Sequence, residues 1–153
     1  MGRWDLPRGA RLKSPHLLRV DDAPERFAPL IEAARALGLR IGWLELGGAG
    51  HPVPPVLEVA AGLGVLRAVE VGEGRTVAVK PLRGAPVLKD LLREHFRGCA
   101  LVLVRGDLGD LKDLSSLRIE ESGWIVTPPG AASRSYPPEK LAEALRKPNP
   151  WDF

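Results

Sequence analysis

A run of six apolar residues at positions 99–104 constrains the fold more than any other segment of this sequence. A strand that faces water on one side alternates apolar and polar side chains, and this run does not alternate. Continuous apolar strands are typical of the centre of an α/β sheet, where helices cover both faces. The run therefore predicts a sheet with a helical layer on each side.

The segments around this run alternate between strand and helix patterns. Apolar residues recur at helical spacing in several segments that are bounded by proline or glycine. The predicted helices span residues 27–37, 54–61, 86–97 and 139–147, and the predicted strands span residues 17–20, 40–46, 65–71, 76–82 and 124–127. Two of these strands flank the short glycine-containing connection at 72–75, which indicates an antiparallel hairpin.

Together these patterns predict an α/β fold, namely a single-domain three-layer sandwich whose mixed, mainly parallel sheet contains one antiparallel hairpin. The length of 153 residues suits one domain over residues 1–153. This predicted domain begins with a basic N-terminal segment (1–16) and ends in a tail that is rich in proline and aromatic residues (148–153).

Composition excludes several classes of protein. Hydrophobic residues make up 44% and charged residues 27% of the chain, close to the average for soluble domains. The single cysteine, Cys99, excludes an intrachain disulfide and fits a reducing compartment. No stretch of about 18 consecutive apolar residues is present, so we expect a soluble, cytoplasmic protein without a membrane-spanning helix. The usage of arginine and proline is compatible with thermostability.

The basic excess of the chain lies in its first 20 residues. They hold five basic side chains against Asp5 alone, in a chain whose formal net charge is +3. A segment of this kind can contact the phosphates of a nucleic acid. The interpretation that we favour is a solvated terminus lying against the domain, and weak nucleic-acid binding is the alternative.

Residues 47–52 form a glycine-rich turn between a predicted strand and a predicted helix. Backbone N–H groups in such a turn can hold an anion, and His51 could donate a hydrogen bond to it. The turn lacks the Lys-Ser or Lys-Thr pair of a nucleotide P-loop, and three nearby prolines remove amide donors. A structural turn is the interpretation that we favour, and an anion-binding loop is the alternative.

Two further polar loops follow predicted strands, one with Arg105 and Asp107 and the other with Arg134. If both strands run parallel to the strand ending at Leu46, the three loops gather at one edge of the sheet, where open α/β sheets bind ligands. The two arginines would then clamp a phosphate or carboxylate, and Asp107 would bind a hydroxyl group or a metal. The predicted ligand-binding residues are Gly48, Gly50, His51, Arg105 and Arg134.

No constellation in the sequence identifies an enzyme. The three histidines show no metal-ligand spacing, so neither a metal nor a cofactor is predicted. Cys99 lacks a neighbouring histidine and is predicted to be an inert core thiol. For an enzyme acting on a phosphorylated or carboxylated metabolite, His51 is the predicted general acid or base, and Asp107 orients it or binds the substrate.

The tail combines two prolines with Trp151 and Phe153. An extended segment with two aromatic side chains could enter a pocket of a partner protein. The alternative is that Trp151 packs on its own domain or on a second subunit.

The leading hypothesis from the sequence is a non-catalytic binding or protein-interaction domain. The partners considered are a second copy of the chain, a protein bound through the tail and an anionic small ligand.

Overall fold

The computed structural model describes residues 14–47, 52–82, 84–106 and 113–151. Its strands are β1 (His16–Val20), β2 (Ile41–Glu45), β3 (Ala68–Val71), β4 (Thr76–Val79), β5 (Leu101–Arg105), β6 (Ser116–Glu120), β7 (Gly123–Thr127) and β8 (Arg134–Ser135). Its helices are α1 (Ala28–Ala36), α2 (Pro55–Gly62), α3 (Leu88–His95) and α4 (Pro138–Ala144), and a short 3-10 turn, Pro24–Phe27, precedes α1.

The main sheet has six strands in the order β2-β5-β1-β6-β7-β8. The first four strands run parallel to one another, and β7 and β8 add two antiparallel pairs. The apolar run is the second strand of this sheet, where Leu101 pairs with His16 on one side and with Ile41 on the other. The predicted mixed, mainly parallel sheet is confirmed.

Both faces of β5 are covered by helices, as the absence of alternation predicted. Leu101 and Leu103 point to one face and belong to the larger core cluster, together with residues of α1 and α4. Val102 and Val104 point to the other face and pack with Leu88 and neighbouring residues of α3. These four apolar side chains of β5 are fully buried, and burial of each contributes roughly 1.5–3 kcal/mol to folding. The three layers are therefore α1 with α4, the sheet, and α3.

Residues 65–82 form the predicted hairpin, but it lies outside the main sheet. Strands β3 and β4 pair only with each other, with Ala68 opposite Val79, in a separate two-stranded sheet. The antiparallel strands of the main sheet are instead β6, β7 and β8. A short connection specifies that two strands meet each other, and nothing in that local pattern specifies a third strand.

Contacts within the chain divide it into two compact units. The larger unit comprises residues 1–47 and 88–153 and holds the main sheet with α1, α3 and α4. The smaller unit, residues 48–87, holds α2 and the β3–β4 hairpin, and α2 packs on both of its strands. The single domain over residues 1–153 stays a prediction.

None of the described helices is long and apolar enough to cross a membrane. The longest, α1, has nine residues, whereas a span requires about 20.

Candidate functional site

The carboxyl ends of the parallel strands bring Glu45 and Arg105 side by side, because the two residues pair in register at the ends of β2 and β5. Arg105 Nη2 lies 2.8 Å from Glu45 Oε1, and Arg105 Nε donates to Glu45 Oε2 at 2.8 Å. Two contacts between one guanidinium and one carboxylate fix the orientation of both side chains.

An aromatic cluster supports this ion pair. Trp43 Nε1 donates to Glu45 Oε1 at 3.1 Å, and the guanidinium carbon of Arg105 lies 5.6 Å from the centre of the Trp43 ring. The ring of Phe27 in turn packs 5.9 Å from the rings of both Trp43 and Trp124. The guanidinium is therefore held by a carboxylate on one side and an aromatic ring on another.

The electrostatics of Arg105 follow from this arrangement. The hydrogen bond that Arg105 donates to Glu45 raises the pKa of Arg105 above its ordinary value. Burial of the group opposes this increase, and the negative charges of Glu45 and Glu25 add to it. An anionic ligand bound by Arg105 would compete with the carboxylate of Glu45 for the same donors.

The structure does not bring Arg134 next to Arg105. Strand β5 does run parallel to β2, as the shared-site hypothesis required, but β7 runs antiparallel to β6. Arg134 lies on the edge strand β8 opposite Val126, four strand positions from β5 in the order of the sheet. At about 4.8 Å a strand, the backbones of Arg105 and Arg134 are roughly 19 Å apart across the sheet. The two arginines are therefore not neighbours, and their ligand-binding roles stay predictions.

Several predicted residues lie outside the described parts of the chain. These are Gly48, Gly50 and His51 of the glycine-rich turn, Asp107, and Phe153 of the tail. Their ligand-binding, catalytic and partner-binding roles stay predictions.

Trp151 of the tail packs on its own unit. Its ring lies edge-on to the rings of His16 and Tyr136, with both pairs of ring centres 6.3 Å apart. The side chain is half-buried against the larger core cluster, and the preceding Pro150 is buried. Of the two alternatives given for Trp151 by the sequence, this arrangement corresponds to packing on its own domain. A partner-binding role for the residue stays a prediction.

A cleft of about 450 Å³ lies beside Trp151 at the start of β1. Three polar residues and a set of rigid apolar residues form its walls, from segments that are far apart in the sequence. The lining residues are His16, Ser115, Pro128, Pro129, Ala131, Pro148, Asn149, Pro150 and Trp151. Sequence reasoning missed this cleft, because no local pattern indicates that residues 16, 115, 128 and 149 are neighbours.

A second cleft of about 350 Å³ adjoins the first and shares His16 and Pro148 with it. Its remaining lining residues include the two basic residues that follow α4, Arg146 and Lys147, together with Cys99. Burial raises the pKa of the Cys99 thiol, while the positive charge of Arg40 partly lowers it. Within the described ranges, no group of three or more His, Cys, Asp and Glu residues is arranged to hold a metal ion.

Exposed apolar side chains are concentrated in the smaller unit. Nine of the ten large hydrophobic residues that are most exposed in the described chain lie there, and only Ile31 does not. The nine are Val56, Val59, Leu63, Val65, Leu66, Val69, Val71, Leu82 and Val87. Among the described residues of this unit, only Leu57 and Ala68 are buried.

Five of these side chains belong to two faces. Val56, Val59 and Leu63 lie at helical spacing along one side of α2 and at its end, which we call the helix face. The hairpin face consists of Val69, Val71, Thr76 and Ala78, which share one side of the hairpin because side chains alternate along each strand. All members of both faces are exposed.

No protein-family model matches this chain, and no curated protein matches it significantly.

Proposed function

We propose that this protein is a non-catalytic protein-interaction domain and that its smaller unit carries the contact surface. The observation that carries the proposal is the concentration of exposed apolar side chains on that unit, up to 80% exposed at Leu63 and 77% at Val71. Single exposed apolar residues are ordinary, but a concentrated set of them is typical of an interaction surface.

The apolar surface exposed by the smaller unit as a whole is comparable with that of a standard interface. A fully exposed valine or leucine side chain presents on the order of 100 Å². The nine side chains together therefore expose roughly 500–600 Å² of apolar surface. A standard interface buries about 800 Å² on each partner, of which a little more than half is apolar.

Among its described residues, the smaller unit buries only Leu57 and Ala68, too few for a core of its own. It spans about 40 residues, a length at which a domain usually needs a metal, a disulfide or association for stability. An isolated two-stranded hairpin is marginally stable in water. A partner that covered the helix face or the hairpin face would bury further apolar surface. That burial would stabilise the unit more than the burial of Leu57 and Ala68 alone.

A homodimer is the simplest association of this kind.

The single cysteine is compatible with a reducing compartment, so the proposed location is the cytoplasm.

The test compares two variants that remove exposed apolar side chains from different units. The first replaces the helix face (Val56→Ser, Val59→Ser, Leu63→Ser), and the matched control replaces the exposed Ile31 of the larger unit by serine. Sedimentation of the purified protein measures self-association, and affinity capture from cells that express the protein measures other partners. We expect the wild type and the Ile31 variant to associate and the helix-face variant to lose the association.

A variant of the hairpin face (Val69→Thr, Val71→Thr) identifies which face is used, since threonine retains the strand propensity of valine. Circular dichroism verifies that each variant is folded. A wild type that stays monomeric and captures no protein beyond the background would contradict the proposal. Retained association in both the helix-face and the hairpin-face variants would contradict it equally.

A further inference from the structure

The cleft beside Trp151 has the dimensions and the mixture of groups of a small-ligand site. Its volume of about 450 Å³ lies within the usual range of about 300–1,000 Å³ for such sites. Four prolines and Trp151 provide rigid apolar walls, and His16, Ser115 and Asn149 place polar groups among them. The whole lining belongs to the larger unit.

The polar groups of this cleft include both donors and acceptors of hydrogen bonds. His16 Nε2 lies 3.1 Å from the carbonyl oxygen of Leu145, which can only accept, so Nε2 carries the hydrogen. In the neutral ring Nδ1 is then an acceptor. The Asn149 carboxamide and the Ser115 hydroxyl can each donate and accept. A ligand that fills the cleft therefore needs polar edges of both kinds, as heteroaromatic rings have.

The charged side chains that line the two clefts, within the described part of the chain, are basic. The adjoining cleft is lined by Arg146 and Lys147 and is joined to the first through His16 and Pro148. Among the described residues, neither an aspartate nor a glutamate lines either cleft. A ring bound beside Trp151 could therefore extend an anionic group toward Lys147.

We propose that the two adjoining clefts bind a heteroaromatic base that carries a phosphate, the chemistry of a nucleotide. The base occupies the larger cleft against Trp151, since aromatic side chains are the usual stacking partners of bases. The phosphate lies toward Arg146 and Lys147. A free mononucleotide and one residue of a single-stranded nucleic acid both present this chemistry.

The experiment titrates the protein with AMP and follows its assigned amide and side-chain resonances by two-dimensional NMR. We expect saturable shifts at His16, Ser115 and Asn149 and at the indole N–H of Trp151. Adenosine and inorganic phosphate, as separate probes, should bind more weakly than AMP. A short single-stranded oligonucleotide distinguishes the two sources, because binding that is stronger than that of AMP and falls steeply with salt indicates nucleic acid.

Three surface variants separate the contributions. Lys147→Ala should weaken AMP binding roughly tenfold and leave adenosine binding nearly unchanged. Asn149→Asp keeps the size of the side chain but adds a negative charge, and it should weaken AMP binding at least as much. Lys89→Ala, an exposed lysine on α3 on the other face of the sheet, is the control and should leave AMP binding unchanged.

Trp151→Leu should weaken both AMP and adenosine, and its circular dichroism spectrum verifies the fold. The proposal is wrong if AMP produces no saturable shifts up to about 10 mM. It is equally wrong if the shifts lie elsewhere in the chain, or if the Asn149 and Lys147 variants bind AMP as the wild type does. These readouts are independent of the association measured for the smaller unit.

Discussion

Gly106, directly after β5, shows how closely two segments approach at the carboxyl edge of the sheet. Its φ of 110° lies in the region that favours glycine, and a Cβ atom there would overlap the carbonyl oxygen of Leu46. The same two segments are joined by a hydrogen bond from the amide of Leu46 to the carbonyl of Arg105, at 2.8 Å. A side chain at position 106 would therefore strain the backbone and separate the two strand ends.

We expect Gly106→Ala to lower the free energy of unfolding by about 2–4 kcal/mol, because conformational strain and steric overlap add. Gly38→Ala is the matched control, since Gly38 also has a positive φ, 75°, but nothing lies within 4 Å of its Cβ position. That variant should cost only about 1–2 kcal/mol, the conformational part alone. Urea denaturation of the three proteins measures the difference, and equal losses would contradict the role of the close approach.

The thiol of Cys99 should react slowly at neutral pH. The thiolate is the reactive form, and burial raises the pKa of Cys99, so the protein holds less thiolate than an exposed cysteine at the same pH. We expect its rate with a thiol reagent at pH 8 to be below that of a cysteine peptide and to continue rising at higher pH. Stopped-flow absorbance measures the rate.

Removing the positive charge of Arg40 should slow this reaction further, because that charge lowers the pKa of Cys99. Arg118→Ala, on the distant strand β6, is the control and should leave the rate unchanged. A Cys99 that reacts as fast as the peptide, or an Arg40→Ala variant that reacts faster, would contradict the stated effect of burial and charge.

Among the elements, the turn between β6 and β7 determines which loops share an edge of the sheet. Only Glu121 and Ser122 separate the two strands, so the chain reverses direction and β7 runs antiparallel to β6. As a result, the loop that follows Thr127 faces the start of β1, and Pro128 contributes to the cleft beside His16. A longer crossover would have placed this loop at the opposite edge, near Arg105.

The tail is the second element with a measurable consequence. Buried Pro150 and half-buried Trp151 pack on the larger unit, so their removal should expose apolar surface of the core. We expect Trp151→Ala to lower the free energy of unfolding by about 1–3 kcal/mol, less than for a fully buried tryptophan. Deletion of residues 148–153 should destabilise at least as much.

Thermal unfolding of the larger unit, followed by circular dichroism, measures these effects. Lys147→Ala, one position before the deleted segment, serves as the control for a change that removes no packing. An unchanged midpoint in both the Trp151 and the deletion variants would show that the tail does not stabilise the unit and would favour its recruitment by a partner.

The sequence predicted the positions of the helices and strands better than it predicted which of them lie next to each other. The apolar run at 99–104 identified a sheet covered on both faces, and residues 65–82 indicated the hairpin, because burial and tight turns leave local patterns. The order of the strands was not predicted, and with it the separation of Arg105 from Arg134. The cleft was missed as well, since the contact of His16 with Trp151 joins residues at opposite ends of the chain, and no local pattern encodes such a contact.

At the scale of the whole molecule, the two units should differ in local stability. The amides of β5 lie in a fully buried strand with parallel partners on both sides, whereas β3 and β4 pair only with each other and are largely exposed. Hydrogen exchange is slow where opening requires global unfolding and fast where few buried contacts resist it.

We therefore expect the amides of residues 68–79 to exchange much faster than those of residues 101–105, as measured by hydrogen–deuterium exchange with mass spectrometry. A partner bound to the smaller unit should slow exchange at 68–79 and leave 101–105 unchanged. Equal protection of the two segments in the isolated protein would contradict this difference and the argument that the smaller unit lacks a sufficient core.

The order of the strands also determines when the main sheet can form during biosynthesis. Strand β5 lies between β2 and β1, yet it pairs residue 16 with residue 101, some 85 positions later. At about 5–20 residues per second, the ribosome needs roughly 3–11 seconds to proceed from the end of β2 to the start of β5. During that interval the two earlier strands have no partner between them. The parallel part of the main sheet can therefore form only late in synthesis. Delays in translating residues 46–100 prolong the period in which its apolar strands remain exposed, where chaperones can bind them or they can aggregate.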